Sequence, residues 1–172
     1  MLRGRILVGD HDGVYVLLFQ GDVRLNLCTA VDSFLERMFQ DTRFKSVVVD
    51  LAGTESIDST SLGLLAKLSI QAGRWFGFRP TLVSTRADIT RLIVTMGLDD
   101  VFNMVEEPLE HDEQLGELPC CAASEDEVRE RVLEAHRILM DMNENNRAAF
   151  QDLVATLEAE EPATPAPRRA SL

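Results

Sequence analysis

Val47–Leu65, VVVDLAGTESIDSTSLGLL, passes from a continuous β-branched run to a leucine-rich run by way of one carboxylate and a cluster of hydroxyls. Val47-Val48-Val49-Asp50-Leu51 has no alternation of apolar and polar residues, which predicts a strand covered on both faces. Ser59 to Trp75 is rich in Leu, Ala and Ile and predicts a helix that ends near Gly73 or Gly77. Between them lies Ile57-Asp58-Ser59-Thr60-Ser61-Leu62-Gly63. Asp58 or Ser59 suits the N-cap of that helix, where a side-chain oxygen accepts from free backbone N–H groups and contributes about 1 kcal/mol.

Working outward, the flanking segments alternate in the same way. Gly4–Gly9 and Val14–Phe19 are strand-like runs joined by Gly9-Asp10-His11-Asp12-Gly13, whose Asp-Gly pair suits a hairpin turn. Gln20-Gly21-Asp22 closes the second strand. Thr29–Gln40 carries Ala30, Phe34, Leu35 and Met38 at helical spacing. Pro80–Ser84 is a short strand, and Ala87–Met96 is a helix with Ile89, Leu92, Ile93 and Met96 on one face and Gly97 as its stop. Val101–Val105 is the last strand. The order predicts an α/β fold: a mixed sheet of about four to five strands, parallel at its centre, with helices packed against it and right-handed crossovers. No internal repeat is present.

After Val105 the sequence turns acidic and loses periodicity, which places the end of the compact domain at residue 108 and an acidic linker over 109–123. A helical extension over 124–160 follows. It opens on Ser124-Glu125-Asp126-Glu127, a capping box with an acidic first turn. Val128, Val132, Ala135, Leu139, Met142, Asn146, Ala149 and Leu153 then advance in steps of four and three, a heptad-like seam. Two readings fit: an amphipathic helix folded onto its own domain, or a coiled coil that makes a homodimer through this helix. Ala135 and Asn146 weaken the seam, and Asn143–Asn146 suits a break. Residues 161–172, with three prolines in PATPAPRRASL and no apolar period, predict a disordered tail.

Composition narrows the function. The chain has 172 residues, 45% hydrophobic and 27% charged, enough for one domain with an extension. A net charge of −12 repels phosphate backbones and anionic lipids, which argues against direct binding to nucleic acid or membrane. The apolar runs fall short of a membrane span, and the start Met1–Arg5 does not read as a cleaved leader, so a cytoplasmic location is expected. Cys28, Cys120 and Cys121 have no paired metal-ligand spacing and read as reduced thiols without a function. His11, His111 and His136 are scattered, and neither a metal nor a cofactor is expected. A Ser59 nucleophile lacks any local partner signature such as Gly-x-Ser-x-Gly, and no Gly-rich loop ends in Gly-Lys-Ser. Leu62, Gly63, Leu64, Leu65, Ala66, Leu68 and Ile70 surround more of the helix than one core-facing stripe requires. Either a partner covers the surplus, or the helix is buried between the sheet and the extension.

The stretch beginning at Val47 resembles the signature of the STAS family, the anti-sigma factor antagonists, in which a strand leads through a short loop to Asp-Ser-Ser/Thr-x-Leu-Gly at a helix start. FQGDVRLNLCTAVDSFL, at the place of the family's first helix, and RLIVTMGLDDVFNMV, at its last helix and strand, extend the resemblance over residues 1–108. It implies the STAS fold and a bacterial, non-enzymatic partner-switching regulator. By position the phosphorylated serine falls on Ser59, with Thr60 and Ser61 as weaker competitors. The implied partner surface comprises Asp22, Arg24, Asn26, Asp58, Ser59, Thr60 and Leu62. The implied partners are an anti-sigma factor with a histidine-kinase-like ATPase fold, which is also the serine kinase, and a PP2C-type phosphatase. The alternative within the family is an unphosphorylated STAS interaction subunit of a transporter or signalling complex. Two positions depart from the pattern. Arg24 stands where many antagonists carry an acidic residue, and Ser61 where glycine is common.

Overall fold

A computed structural model describes residues 2–111, 114–120 and 122–160. The predicted tail lies outside the described residues, as does Cys121. Strands β1 (Arg5–His11) and β2 (Val14–Val23) form the expected antiparallel hairpin. Its Asp12-Gly13 turn has positive φ at both residues, the conformation whose twist matches the flanking strands. Helix α1 (Cys28–Gln40), β3 (Ser46–Ile57), α2 (Ser59–Phe76), β4 (Thr81–Val83), α3 (Ala87–Thr95) and β5 (Asn103–Val105) follow in the predicted order. Strands β2 to β5 are parallel, in the order β5-β4-β3-β2-β1. With strands added in one direction, right-handed crossovers put α1, α2 and α3 on one face. Val47, Val49 and Leu51 are buried with Leu35, Met38, Leu62, Leu65, Leu68, Ile89 and Ile93 in one core. The other side of β3 is covered differently: Val48 is half-buried and the Asp50 carboxylate meets the His111 imidazole at 2.6 Å.

Two expectations change. The compact domain does not stop at residue 108. Gly116–Glu117 forms a sixth strand, β6, against β1, and Leu118 N–H donates to Ile6. The outer edge of β1 needs backbone partners, and an extended acidic segment supplies them without any side-chain pattern. The last strand is shorter than Val101–Val105, because Leu98–Asp100 first makes a turn of 3-10 helix. The extension, read as helical with Asn143–Asn146 suited to a break, is two helices, α4 (Glu125–Met142) and α5 (Glu144–Ala159). Asn143 breaks the seam in extended conformation, and its side chain caps α5 by accepting from Asn146 N–H. Ala149 and Leu153 are consequently exposed, and Val154 is buried instead.

The two helices return antiparallel, with the Arg129 guanidinium donating to the Leu157 carbonyl, and α4 lies on α2 as a third layer. Of the two readings of the seam, this arrangement is the helix folded onto its own domain. Asn146, buried at the hairpin's bend, donates to the Met96 carbonyl at the end of α3.

Tyr15, the single tyrosine, gives the core an optical reporter. Burial, reinforced by its hydrogen bond to Asp41, pushes its hydroxyl up to about 12 from the ordinary value of about 10. A spectrophotometric titration of the folded protein should therefore have its midpoint near 12. The unfolded chain ionises first, so the contribution is complete below about pH 10 and is lost as pH rises from there through the folded value.

Candidate functional site

The site forms where β3 delivers the chain to the N-terminus of α2. Asp58 is the N-cap: its Oδ1 accepts from Ser61 N–H at 2.8 Å, and its Oδ2 accepts from Leu25 N–H at 2.7 Å. One carboxylate thus fastens the start of α2 to the loop before α1. Ser59 is the first residue within the helix, and its hydroxyl takes no part in the cap. Ser61 Oγ lies 3.6 Å from the Cys28 sulfur, and Ser61 is buried. Of the three consecutive hydroxyls, that of Ser59 is the most accessible: Ser59 is half-buried, whereas Thr60 and Ser61 are each 4% exposed.

The residues expected on a partner surface divide. Asp22, Arg24, Asn26, Asp58 and Ser59 gather around the start of α2. Arg24 Nε donates to Asp22 at 2.8 Å, and the Ser56 hydroxyl also donates to Asp22. Hydrogen bonds from Ser56 and then Arg24 hold the Asp22 carboxyl below the usual carboxylate range. Leu62 is 1% exposed and belongs to the core, so it is not a surface contact. Thr60 faces α4. It lines, with Cys28, Gly63, Leu64, Lys67, Arg131, Glu134, Ala135 and Ile138, a cavity of about 10 Å³, barely the room of one water. Helix α2 is therefore apolar all round because it is buried on both sides, by the sheet and by the extension.

Sequence reasoning missed what sits on Ser59. His136, 2% exposed on α4, places Nε2 at 2.8 Å from Ser59 Oγ. Its Nδ1 lies 2.6 Å from the Val132 carbonyl, which only accepts, so Nδ1 carries the proton; in the neutral ring Nε2 then accepts from the Ser59 hydroxyl. Phe150 of α5 packs edge-on against the imidazole. A serine donating to a histidine is half of a nucleophile–base arrangement. Here, however, the second ring nitrogen is held by the main chain of its own helix, and the hydroxyl points into a packed helix–helix seam. No local signal marks the pair, because its members are 77 positions apart.

Further along the seam Lys67 Nζ reaches Asp32 of α1 at 2.7 Å and Glu134 of α4 at 2.5 Å, while Arg131 Nε lies 3.0 Å from the other Asp32 oxygen. Burial disfavours the Lys67 cation, but hydrogen bonds from it to Asp32 and Glu134 outweigh that and raise its pKa above the ordinary lysine value. Burial also pushes the Cys28 thiol up to about 12. Among the described residues, no group of three His, Cys, Asp or Glu is arranged to hold a metal.

A family model for the STAS domain matches residues 5–112. The chain belongs to the STAS domain family. It is similar to the anti-sigma-F factor antagonist RsfB of Mycobacterium tuberculosis, in strains CDC 1551 / Oshkosh and ATCC 25618 / H37Rv, at 32% identity over 100 residues. That match covers 58% of this chain and 79% of RsfB. With this kinship the STAS protein is a regulatory binding protein and not an enzyme. The family match ends at residue 112, so α4 and α5 lie outside it.

Replacing Asp58 with alanine in this STAS protein should lower stability by about 1–2 kcal/mol in urea unfolding, with Asp58→Asn recovering most of the loss because an amide oxygen still accepts. Equal losses in the two variants would mean that the cap is not the source.

Proposed function

We propose that this protein is a cytoplasmic anti-sigma factor antagonist that works by partner switching at the start of α2. Unmodified, it docks on an anti-sigma factor of the histidine-kinase-like ATPase type. That partner, acting as a serine kinase, phosphorylates Ser59 and is released, and a PP2C-type phosphatase restores the docking form. The observation that carries this reading is the division of labour at the motif. Asp58 caps the helix, which keeps the adjacent Ser59 hydroxyl out of the cap, so that its modification costs no capping interaction. Membership of the STAS family and likeness to an anti-sigma-F factor antagonist support the class of partner. Among the described residues, no helix is long and apolar enough to cross a membrane.

The electrostatics favour a switch. A phosphoserine brings about −1.5 to −2 charges beside the Asp58 carboxylate. The helix N-terminus tolerates it, since the positive end of the helix dipole lies beside it. A partner surface shaped for a neutral hydroxyl does not. A desolvated, unpaired charge costs several kcal/mol, and each 1.4 kcal/mol is about tenfold in affinity.

Incubation with ATP and a candidate anti-sigma kinase should add the mass of one phosphate, absent in Ser59→Ala and retained in Thr60→Val and Ser61→Ala. The modified protein should bind that kinase at least about a hundredfold more weakly. Phosphate that persists in Ser59→Ala moves the acceptor elsewhere.

A further inference from the structure

Helix α4 covers the face of α2 that begins at Ser59, and the fit is close. A Cβ on Gly63 would stand 2.5 Å from the Ala135 carbonyl oxygen and 2.7 Å from the Ala135 Cβ, so the two backbones approach as only small residues allow. Thr60, Gly63 and Leu64 are buried there. His136 closes over the Ser59 hydroxyl at one end of the contact, and Arg131 and Glu134 join the Asp32–Lys67 pair beside it. Asn146 fixes the bend of the hairpin to the end of α3. A partner that docks on the start of α2, and a kinase or phosphatase that must reach Ser59 Oγ, all need space that α4 fills.

We propose that the α4–α5 hairpin is a built-in competitor of the partner: seated, it occludes Ser59 and the outer face of α2, and phosphorylation of Ser59 holds it open. This rests on the reading of Ser59 as the modified residue. The steric part of the argument does not need the partner's identity. At 2.8 Å the Ser59 oxygen and the His136 nitrogen leave no volume for a phosphoryl group between them, and α4 cannot retreat locally while Ala135 lies against Gly63. The nearby cations offer no refuge either, since Lys67 and Arg131 are engaged by Asp32 and Glu134 and Arg24 by Asp22. In the unmodified protein the apparent affinity for the partner is reduced by the fraction of time the hairpin is open.

Cys28 reports the state of the hairpin. It is 3% exposed and lines the cavity between α2 and α4. In full-length protein carrying Cys120→Ser and Cys121→Ser it is the only thiol. Three such proteins would be compared: unmodified, with phosphoserine installed at position 59 during translation, and with Ala135→Leu, which forces α4 off Gly63 without touching Ser59. Alkylation of Cys28 by iodoacetamide should be at least about tenfold faster in the second and third than in the first. Hydrogen exchange should lose protection over 125–159 and keep it over β2 and β3. A Cys28 that stays shielded in either protein, or protection lost from the sheet as well, overturns the proposal. Neither readout involves a kinase or an anti-sigma factor, so failure of the partner-switching reading would show separately, in the absence of Ser59 phosphorylation by any such kinase.

Discussion

The double burial of α2 is the constraint on which the rest depends. One side of this helix completes the core with Leu62, Leu65 and Leu68, and the other receives α4 across Thr60, Gly63 and Leu64. A helix so enclosed cannot shift along its axis without breaking packing on two surfaces, so its first turn is held in a fixed place. Asp58 completes the restraint. By accepting from both Ser61 and Leu25 it ties the helix start to the loop that carries Arg24 and Asn26. With α4 seated, the Ser59 hydroxyl is held in a fixed place against His136 Nε2 at 2.8 Å, and that placement comes from packing rather than from the hydroxyl itself.

The charge arrangement gives that hydroxyl its leverage. The chain carries 29 acidic and 17 basic side chains, and the cations near the site already have carboxylate partners. Lys67 and Arg131 neutralise Asp32 in the seam, so these ion pairs form only when α1, α2 and α4 are all in place. Lifting α4 leaves Asp32 with Lys67 alone and returns Arg131 and Glu134 to water, where their mutual screening costs little. A buried network of this kind weakly favours the closed form and mainly specifies its geometry.

Local signals made the domain legible and left the extension half-read. The strands and helices from Arg5 to Val105 announce themselves through β-branched runs, the Asp12-Gly13 turn and the Asp58 cap, and these choices agree with the topology. Asp58-Ser59 could be placed at a helix start from composition alone. Which of the two was the cap could not, because that depends on the geometry of the chain's entry into α2. β6 was invisible because an edge strand is recruited through its backbone. The seam of α4 was visible as periodicity, but its continuation past Asn143 was not real, since a side chain that caps the next helix outweighs a pattern of apolar residues. His136 and Gly63 looked ordinary. Their meaning lies in a contact between segments far apart in the chain, and the surplus apolar surface of α2 was its one trace.

On the proposed reading, the placement of Ser59 lets modification act without damage. Had the modified residue been the cap, a phosphate would have removed the interaction that starts the helix and coupled signalling to unfolding. Asp58 takes that role instead and leaves Ser59 as the first helical residue, at the positive end of the helix dipole. The domain would then keep its fold in either of the two proposed states, with the change confined to the surface around Ser59 and the helix above it. Stability resides in Asp58 and the core, and the proposed switch in Ser59, one residue further on.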